Sequence, residues 1–599
     1  MGKDIVKKFK KKIFHLLTSG NADIAFYTEA YVAANKEWVM KRPVLFAINL
    51  MKINFYCLIL HKNYSIKELV PGRKCIARIH RRPKVYQYST ELMKYPYIIT
   101  DIFHSLLELS EEFDTIYRKI EKTYNLPGFY ELRCKKDNNF RSITSIYEEI
   151  SKDLSVTLSK DIEIDMVKKH LVLNPYLKKA FEIASYNSST VVGILETSYS
   201  KEDMEDILND FSINFTEIYV SNEKGLSFAK MRNVFIKQHK QANDNPEELF
   251  VIVSANYKKA FQYSGRYKFT SKYYRSSKEI MRSISLPPLT DNFKEVYQTI
   301  TGIELFGGMY HHKNIYEITY LYIAPAVYAF MEKTYQMAAK NEARVIALCD
   351  PESIFATLYT KFFGTLDTCI WSGFAGSIPV TWEDWSALIE DNPFIKTSPA
   401  DRIAHSLGFS FHNQLLKDCK EEFITEAMVN SRSKYKEGIL QYLKPHLGKE
   451  EKVFVVDPMP GLYSLDHFVS YCKEINPHLE TGKLSISQFL NMDKDELYIF
   501  HRIFQMDTPL IMGIYSDAAN DCTDPATPIK EITFLQPKLM DEIKKEIINQ
   551  ALQDYCRSFV SYQRKNPHLE IYPSDINMIL NHSKEGLVLL EEELGGYIE

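Results

Sequence analysis

The chain predicts an α/β protein: two tandem α/β units on parallel sheets, behind a basic helical amino-terminal region. Three observations carry this. From Tyr95 onward, continuous apolar runs alternate with longer stretches of period 3.6, the pattern of strands buried on both faces and joined by helices. The first 90 residues hold 18 Lys and Arg against 5 Asp and Glu, a surplus of 13 that leaves −16 for the rest of a chain whose total is −3. The length, 599 residues, suffices for three or four domains at roughly 100–200 residues each. Boundaries near 90 and 290 divide the chain into 1–90, 91–290 and 291–599.

The opening sets Ile5, Phe9, Ile13 and Leu16 at helical spacing, with Lys7, Lys8, Lys10, Lys11 and Lys12 between them. Such a helix either lies on an anionic membrane surface, apolar face down, or packs on the protein with a solvated basic side. Pro43 to Leu60 is strongly apolar, but Asn49, Lys52 and Asn54 interrupt it, so it is no spanning helix. Arg73, Lys74, Arg78, His80, Arg81, Arg82 and Lys84 follow, with Tyr86 and Tyr88 close behind. Basic residues among tyrosines suit single-stranded nucleic acid. No nucleic-acid motif accompanies them and the remaining chain is acidic, so an anionic membrane surface or an acidic or phosphorylated partner is expected instead.

Beyond residue 90 the elements come in order. Tyr95 to Thr100 reads as a buried strand ending at Asp101, followed by a helix-rich stretch over about 105–185. Thr190 to Leu195 is a strand, and Ser200 with Asp203 three residues on caps a helix. Glu217 to Val220 is a short strand, Leu226 to Gln238 a helix and Leu249 to Ser254 another strand. In the second half a tyrosine-rich helix spans Ile315 to Lys340, with Tyr316, Tyr320, Tyr322 and Tyr328 at the spacing of a buried face. Strands follow at Arg344 to Cys349, Thr368 to Trp371 and Lys452 to Val456, with helices at 435–447, 465–474 and 537–563.

Composition excludes several classes. The nine cysteines are scattered and never spaced C-x-x-C, which argues against a disulfide scaffold or a zinc ribbon and for a cytoplasmic chain, peripheral at most to the inner face of a membrane. With 45% apolar residues and no low-complexity tract, wholesale disorder is not expected.

At Asp101 a family pattern emerges. Ile99-Thr-Asp101-Ile-Phe103-His104-Ser105-Leu-Leu resembles the F-D-x-F-D-T-L-L opening of a bacterial group of haloacid-dehalogenase-superfamily hydrolases. Glu196-Thr-Ser-Tyr-Ser200 is similar to the group's S-D-M-Y-L-S, and Val220-Ser-Asn-Glu-Lys-Gly-Leu-Ser227 to its V-S-S-E-x-G-L-S. Tyr316 to Pro325 resembles the helix opening that group's second half, while Arg344 to Asp350 and Val455-Val-Asp457 stand at its two later acidic strand ends. The resemblance covers about 95–599. It implies tandem Rossmann-like units with a helical cap insertion, and a setting in bacterial capsule, O-antigen or cell-wall glycan assembly, beside proteins such as glycosyltransferases.

The resemblance also assigns roles. Asp101 stands at the nucleophile position, which in the superfamily becomes an aspartyl-phosphate. Ser105 replaces a Thr. Thr197 is the nearest hydroxyl to the second strand's phosphate position, itself Leu195, and Arg232 falls at the Lys position. At the fourth strand the group's G-D-N-x-x-S-D reads Ser254-Ala-Asn-Tyr-Lys258-Lys-Ala260, so both metal-binding acids are Ala and Lys258 enters the loop. The expectation is a vestigial first site, Asp101 and Arg232, with Ser105, Thr197 and Lys258 left for ligand binding and no metal held. In the second unit Asp350 and Asp457, with Glu352, either converge on one Mg²⁺ or serve as helix caps. The functional expectation is a catalytically degenerate binding or scaffolding component. The alternative is an active Mg²⁺-dependent phosphatase or phosphotransferase on a phosphosugar or phosphorylated glycan.

Overall fold

A computed structural model describes residues 43–55, 82–241, 244–255, 270–283, 286–310, 312–369, 440–447, 452–458, 464–491, 511–515, 531–535 and 542–582. The basic helix expected at 5–16 lies outside these residues, as do His61, Lys62 and the basic run from Arg73 to Arg81. The protein is mixed α/β with parallel sheets. Two compact units emerge, one from the described parts of Met1–Asn314 and Ser561–Glu570, the other from those of Ile315–Val560 and Ile571–Glu599.

In the first unit, β1 (Tyr97–Thr100), β4 (Thr190–Leu195), β5 (Glu217–Val220), β6 (Phe250–Ser254) and β7 (Thr270–Tyr273) form one parallel sheet in the order β5-β4-β1-β6-β7. Tyr97 sits opposite Thr190 on one side and Phe250 on the other. Successive side chains alternate between two cores: Ile98, Val191 and Val251 pack on one face, Ile99, Val192 and Ile252 on the other. This is why the runs read as continuously apolar rather than alternating.

After β1 the chain turns at His104, which adopts the left-handed conformation (φ 68°). It then enters β2 (Leu107–Leu109), antiparallel to β3 (Leu171–Leu173). Between these two strands stand four helices: α1 (Phe113–Thr123), α2 (Phe129–Lys136), α3 (Ile143–Leu154) and α4 (Asp161–His170). The helical insertion is therefore tighter than the 105–185 expected from sequence. Ser105 to Leu109 belong to the turn and its strand, and Pro175–Tyr186 is α5, which leads from β3 back to β4. The capped helix expected after Ser200 is α6 (Lys201–Asn209), with its reciprocal capping box between Ser200 and Asp203.

In the second unit, a helical stretch that begins at the boundary residue Asn314 runs on to Asn341, with a π-turn at Thr319–Ile323 just before Pro325. Tyr316, Tyr320, Tyr322 and Tyr328 are all buried on it, as their spacing suggested. A parallel sheet has the order β11-β10-β8-β9, from β8 (Arg344–Ala347), β9 (Asp367–Thr368), β10 (Lys452–Asp457) and β11 (Glu480–Ser485). An antiparallel ribbon pairs Ile511–Tyr515 with Glu531–Leu535. No helix among the described residues is long and apolar enough to cross a membrane.

Candidate functional site

In the first sheet, β1 leads to β4 and β5 on one side, while β6 and β7 lie on the other. The connections thus reverse direction between β1 and β6, and such a switch point opens a crevice at the carboxyl ends of the strands. Asp101, directly after β1, stands there with only 6% exposure. The Ser254 hydroxyl donates to Asp101 Oδ2 at 2.5 Å, and the Ala255 N–H donates to Oδ1 at 3.3 Å. Both carboxyl oxygens therefore already accept hydrogen from the end of β6. The Ser105 hydroxyl, fully buried, is spent on the Asp101 carbonyl.

The loop after β4 is similarly engaged. Thr197 N–H donates to Ser221 Oγ at 2.9 Å, and Thr197 Oγ1 accepts from Tyr199 N–H at 3.2 Å. The Ser198 carbonyl accepts from Ile143 N–H and from the Asn222 amide, each at 2.9 Å, and Ser221 Oγ donates to the Asn139 carbonyl. Asn139 and Ile143 belong to the insertion, so the insertion rests on the ends of β4 and β5. Its Phe113 packs edge-on against Phe103, with ring centroids 6.2 Å apart. Glu196 Oε1 accepts from Phe228 N–H at 2.8 Å, placing a carboxylate at the start of α7 (Phe228–His239). Arg232, also on α7 and buried, reaches Asn233 Oδ1 at 3.1 Å, and is not among the partners of Asp101. Lys258 lies outside the described residues.

These residues do not fit the Mg²⁺ that the resemblance implies. A hard dication takes several oxygen ligands. Among the described residues, Asp101 is the carboxylate that follows β1, its oxygens bonded to protein donors, and Ala255 brings a methyl where the group has an acid. Among all described residues, no group of three His, Cys, Asp or Glu side chains is arranged to hold a metal ion. Sequence reasoning registered the lost acids but missed the new part of Ser254, which turns the position's hydroxyl onto Asp101. The signal available was a hydroxyl residue where the resembled group has Gly.

The second sheet has its own switch point between β8 and β10. Cys349 and Asp350 follow β8, and Asp457 ends β10 beside Ser485 in register on β11. Asp350 Oδ1 accepts from Glu352 N–H at 2.8 Å, closing a local turn, and Glu352 itself is exposed. Asp350 is not the helix cap: Ser353 Oγ accepts from Ala356 N–H at 3.2 Å and caps α8 (Ile354–Phe362), which precedes β9. The three acids thus do not converge on one ion. Burial pushes the Cys349 thiol up to about 12; Asp350 and Asp457 push the same way, against a hydrogen bond from Ser353. A thiol in that state is no nucleophile at neutral pH.

Compared with known proteins, the chain matches no family model and no curated protein.

Proposed function

We propose that the first unit is a degenerate haloacid-dehalogenase-like module that binds rather than hydrolyses, serving as a scaffolding component in bacterial surface-polysaccharide assembly. The observation that carries this reading is the Asp101 carboxyl held by Ser254 and Ala255. Attack on phosphorus needs a carboxylate oxygen free to approach it, with positive charge nearby to offset the repulsion of two anions. Losing one such electrostatic contributor typically costs about 10²–10³ in rate, and several are replaced here together. The parallel sheet with its switch point at Asp101, and the helical insertion between β2 and β3, support the kinship. The glycan setting is supported by the motifs of the sequence resemblance.

The amino-terminal region belongs to the same reading as a peripheral anchor on anionic membrane. Its described helix, Pro43–Asn54, and the residue after it leave Ile48, Met51 and Phe55 exposed, an apolar stripe beside basic sequence. Flotation of the full chain with anionic vesicles but not with neutral ones is the expected result.

Phosphate release from a panel of sugar phosphates with Mg²⁺ tests the central claim. No release above the blank is expected from the wild type. Release that Asp101→Asn abolishes would replace the binding module with a working phosphatase, and release that Asp350→Asn abolishes would move the chemistry to the second unit.

A further inference from the structure

We propose that Ser561–Glu570 is a strap that locks the hinge of the helical insertion, with Tyr562 as its bolt. The insertion leaves and rejoins the unit through two strands, and the residues at its two stalks are Ser110, just after β2, and His170, just before β3. Their backbones are bonded, Ser110 N–H to the His170 carbonyl at 2.8 Å. Into this junction Tyr562 brings its hydroxyl from 392 positions along the chain, 2.7 Å from Ser110 Oγ and 2.8 Å from His170 Nδ1. The three side chains are buried. With the His170 proton on Nδ1, one chain of donors runs through the junction: Nδ1–H to the Tyr562 oxygen, the Tyr562 hydroxyl to Ser110, and the Ser110 hydroxyl to the His170 carbonyl at 2.9 Å.

The strap is held at a second point. Asn566 Nδ2 donates to the Lys169 carbonyl at 2.9 Å, one residue from His170. Two strands joined by a hairpin hydrogen bond define an axis about which an inserted domain turns, and a third element bonded to both stalks removes that freedom. The consequence reaches the switch point, because the insertion touches the ends of β4 and β5 through Asn139, Ile143 and Glu163, whose Oε1 accepts from Tyr199 at 2.8 Å. With the hinge locked, the crevice beside Asp101 stays covered; releasing the strap uncovers it. This inference stands on the hinge geometry and holds whether or not Asp101 reacts.

Hydrogen exchange of the full chain, read by mass spectrometry, tests it. Tyr562→Phe keeps the ring and removes only the hydroxyl. Exchange over 107–111 and 168–174 is expected to quicken about fivefold, the loss of one net hydrogen bond, with β1 and β4 unchanged. Ser110→Ala must reproduce that local pattern. Tyr219→Phe, which removes a hydroxyl bonded to Glu217 on β5, must not. Unchanged hinge exchange in Tyr562→Phe, acceleration spread over the whole unit, the same hinge response in Tyr219→Phe, or none in Ser110→Ala would each overturn the lock.

Discussion

Ser254 donates its hydroxyl hydrogen to Asp101 Oδ2, joining the carboxyl ends of the central strand β1 and its neighbour β6 across the crevice. The bond is buried at both ends, so its loss leaves an acceptor without water to replace the donor. Ser254→Ala is expected to lower unfolding free energy by about 1–3 kcal/mol, read as a shift of the urea midpoint with unchanged slope. Ser254→Thr, which keeps the hydroxyl, is expected to recover most of that loss. An unshifted midpoint in the Ala variant would show that the hydroxyl contributes nothing to holding Asp101.

Arg133 and Glu163 form a bidentate pair inside the insertion, at 2.7 and 2.9 Å, with both side chains at most 1% exposed. Tyr147 and Tyr199 donate to the same carboxylate at 3.1 and 2.8 Å. Glu163→Ala leaves the buried guanidinium to Asp137, half-exposed and bonded at 2.8 Å, and removes the acceptor of two phenols. The cost expected is about 3–5 kcal/mol, measured by chemical denaturation. Arg133→Met combined with Glu163→Leu is expected to cost less than Glu163→Ala alone, because no buried charge is left uncompensated; Asp137, which also loses its partner, is half-exposed to water. The reverse order would mean that the tyrosines, not the ion pair, hold the insertion together.

What the sequence made legible was what local chemistry decides. Ile98 and Ile99 announce a strand because both neighbours are apolar and both faces are buried, and Ser200 with Asp203 announces a helix start because each caps the other's orphan N–H. Asp101 was legible as a strand-end acid. The three residues of β2 were not, since Leu107 to Leu109 fit a helical pattern equally well and only their pairing with Leu171 to Leu173, more than 60 residues on, makes them a strand. Asp350 and Ser353 are both good capping residues three positions apart, and the turn closed by Glu352 N–H on Asp350 decides that Ser353 is the cap. The approach of Tyr562 to His170 has no sequence signal, because nothing in either residue's neighbours encodes a contact over that separation.

His170 is held neutral by its surroundings. Burial lowers its imidazole from 6.5 to about 3, and the charges of Lys119 and Lys169 act in the same direction; Glu111, 4.0 Å away, is the acid facing it. Between about pH 6.5 and 3 the unfolded chain binds a proton there that the folded chain refuses. His170 therefore makes stability fall as pH falls through that window, by up to about 1.4 kcal/mol per pH unit. His170→Asn removes the titration, so the difference in unfolding free energy between wild type and variant is expected to shrink from pH 7 to pH 4. A difference that stays flat would mean that His170 takes up its proton in the fold as readily as in the unfolded chain.

Cys349 stands between two acids at the second switch point, where a reactive thiolate would need a cation. Its thiol lies at about 12 and its side chain is 1% exposed, so two barriers act together: the thiolate is scarce at neutral pH, and reagent cannot reach it. Of the five described cysteines, Cys134 alone is not buried. Alkylation of the native chain at pH 7.5, followed by peptide mass analysis, is expected to modify Cys134 well before Cys349. Asp457→Asn removes one of the two charges raising the thiol, so in the native chain at alkaline pH it is expected to speed the alkylation of Cys349 relative to the wild type. Rapid native labelling of Cys349 would instead assign a nucleophile to the end of β8 and return the second unit to the chemistry that its buried thiol now argues against.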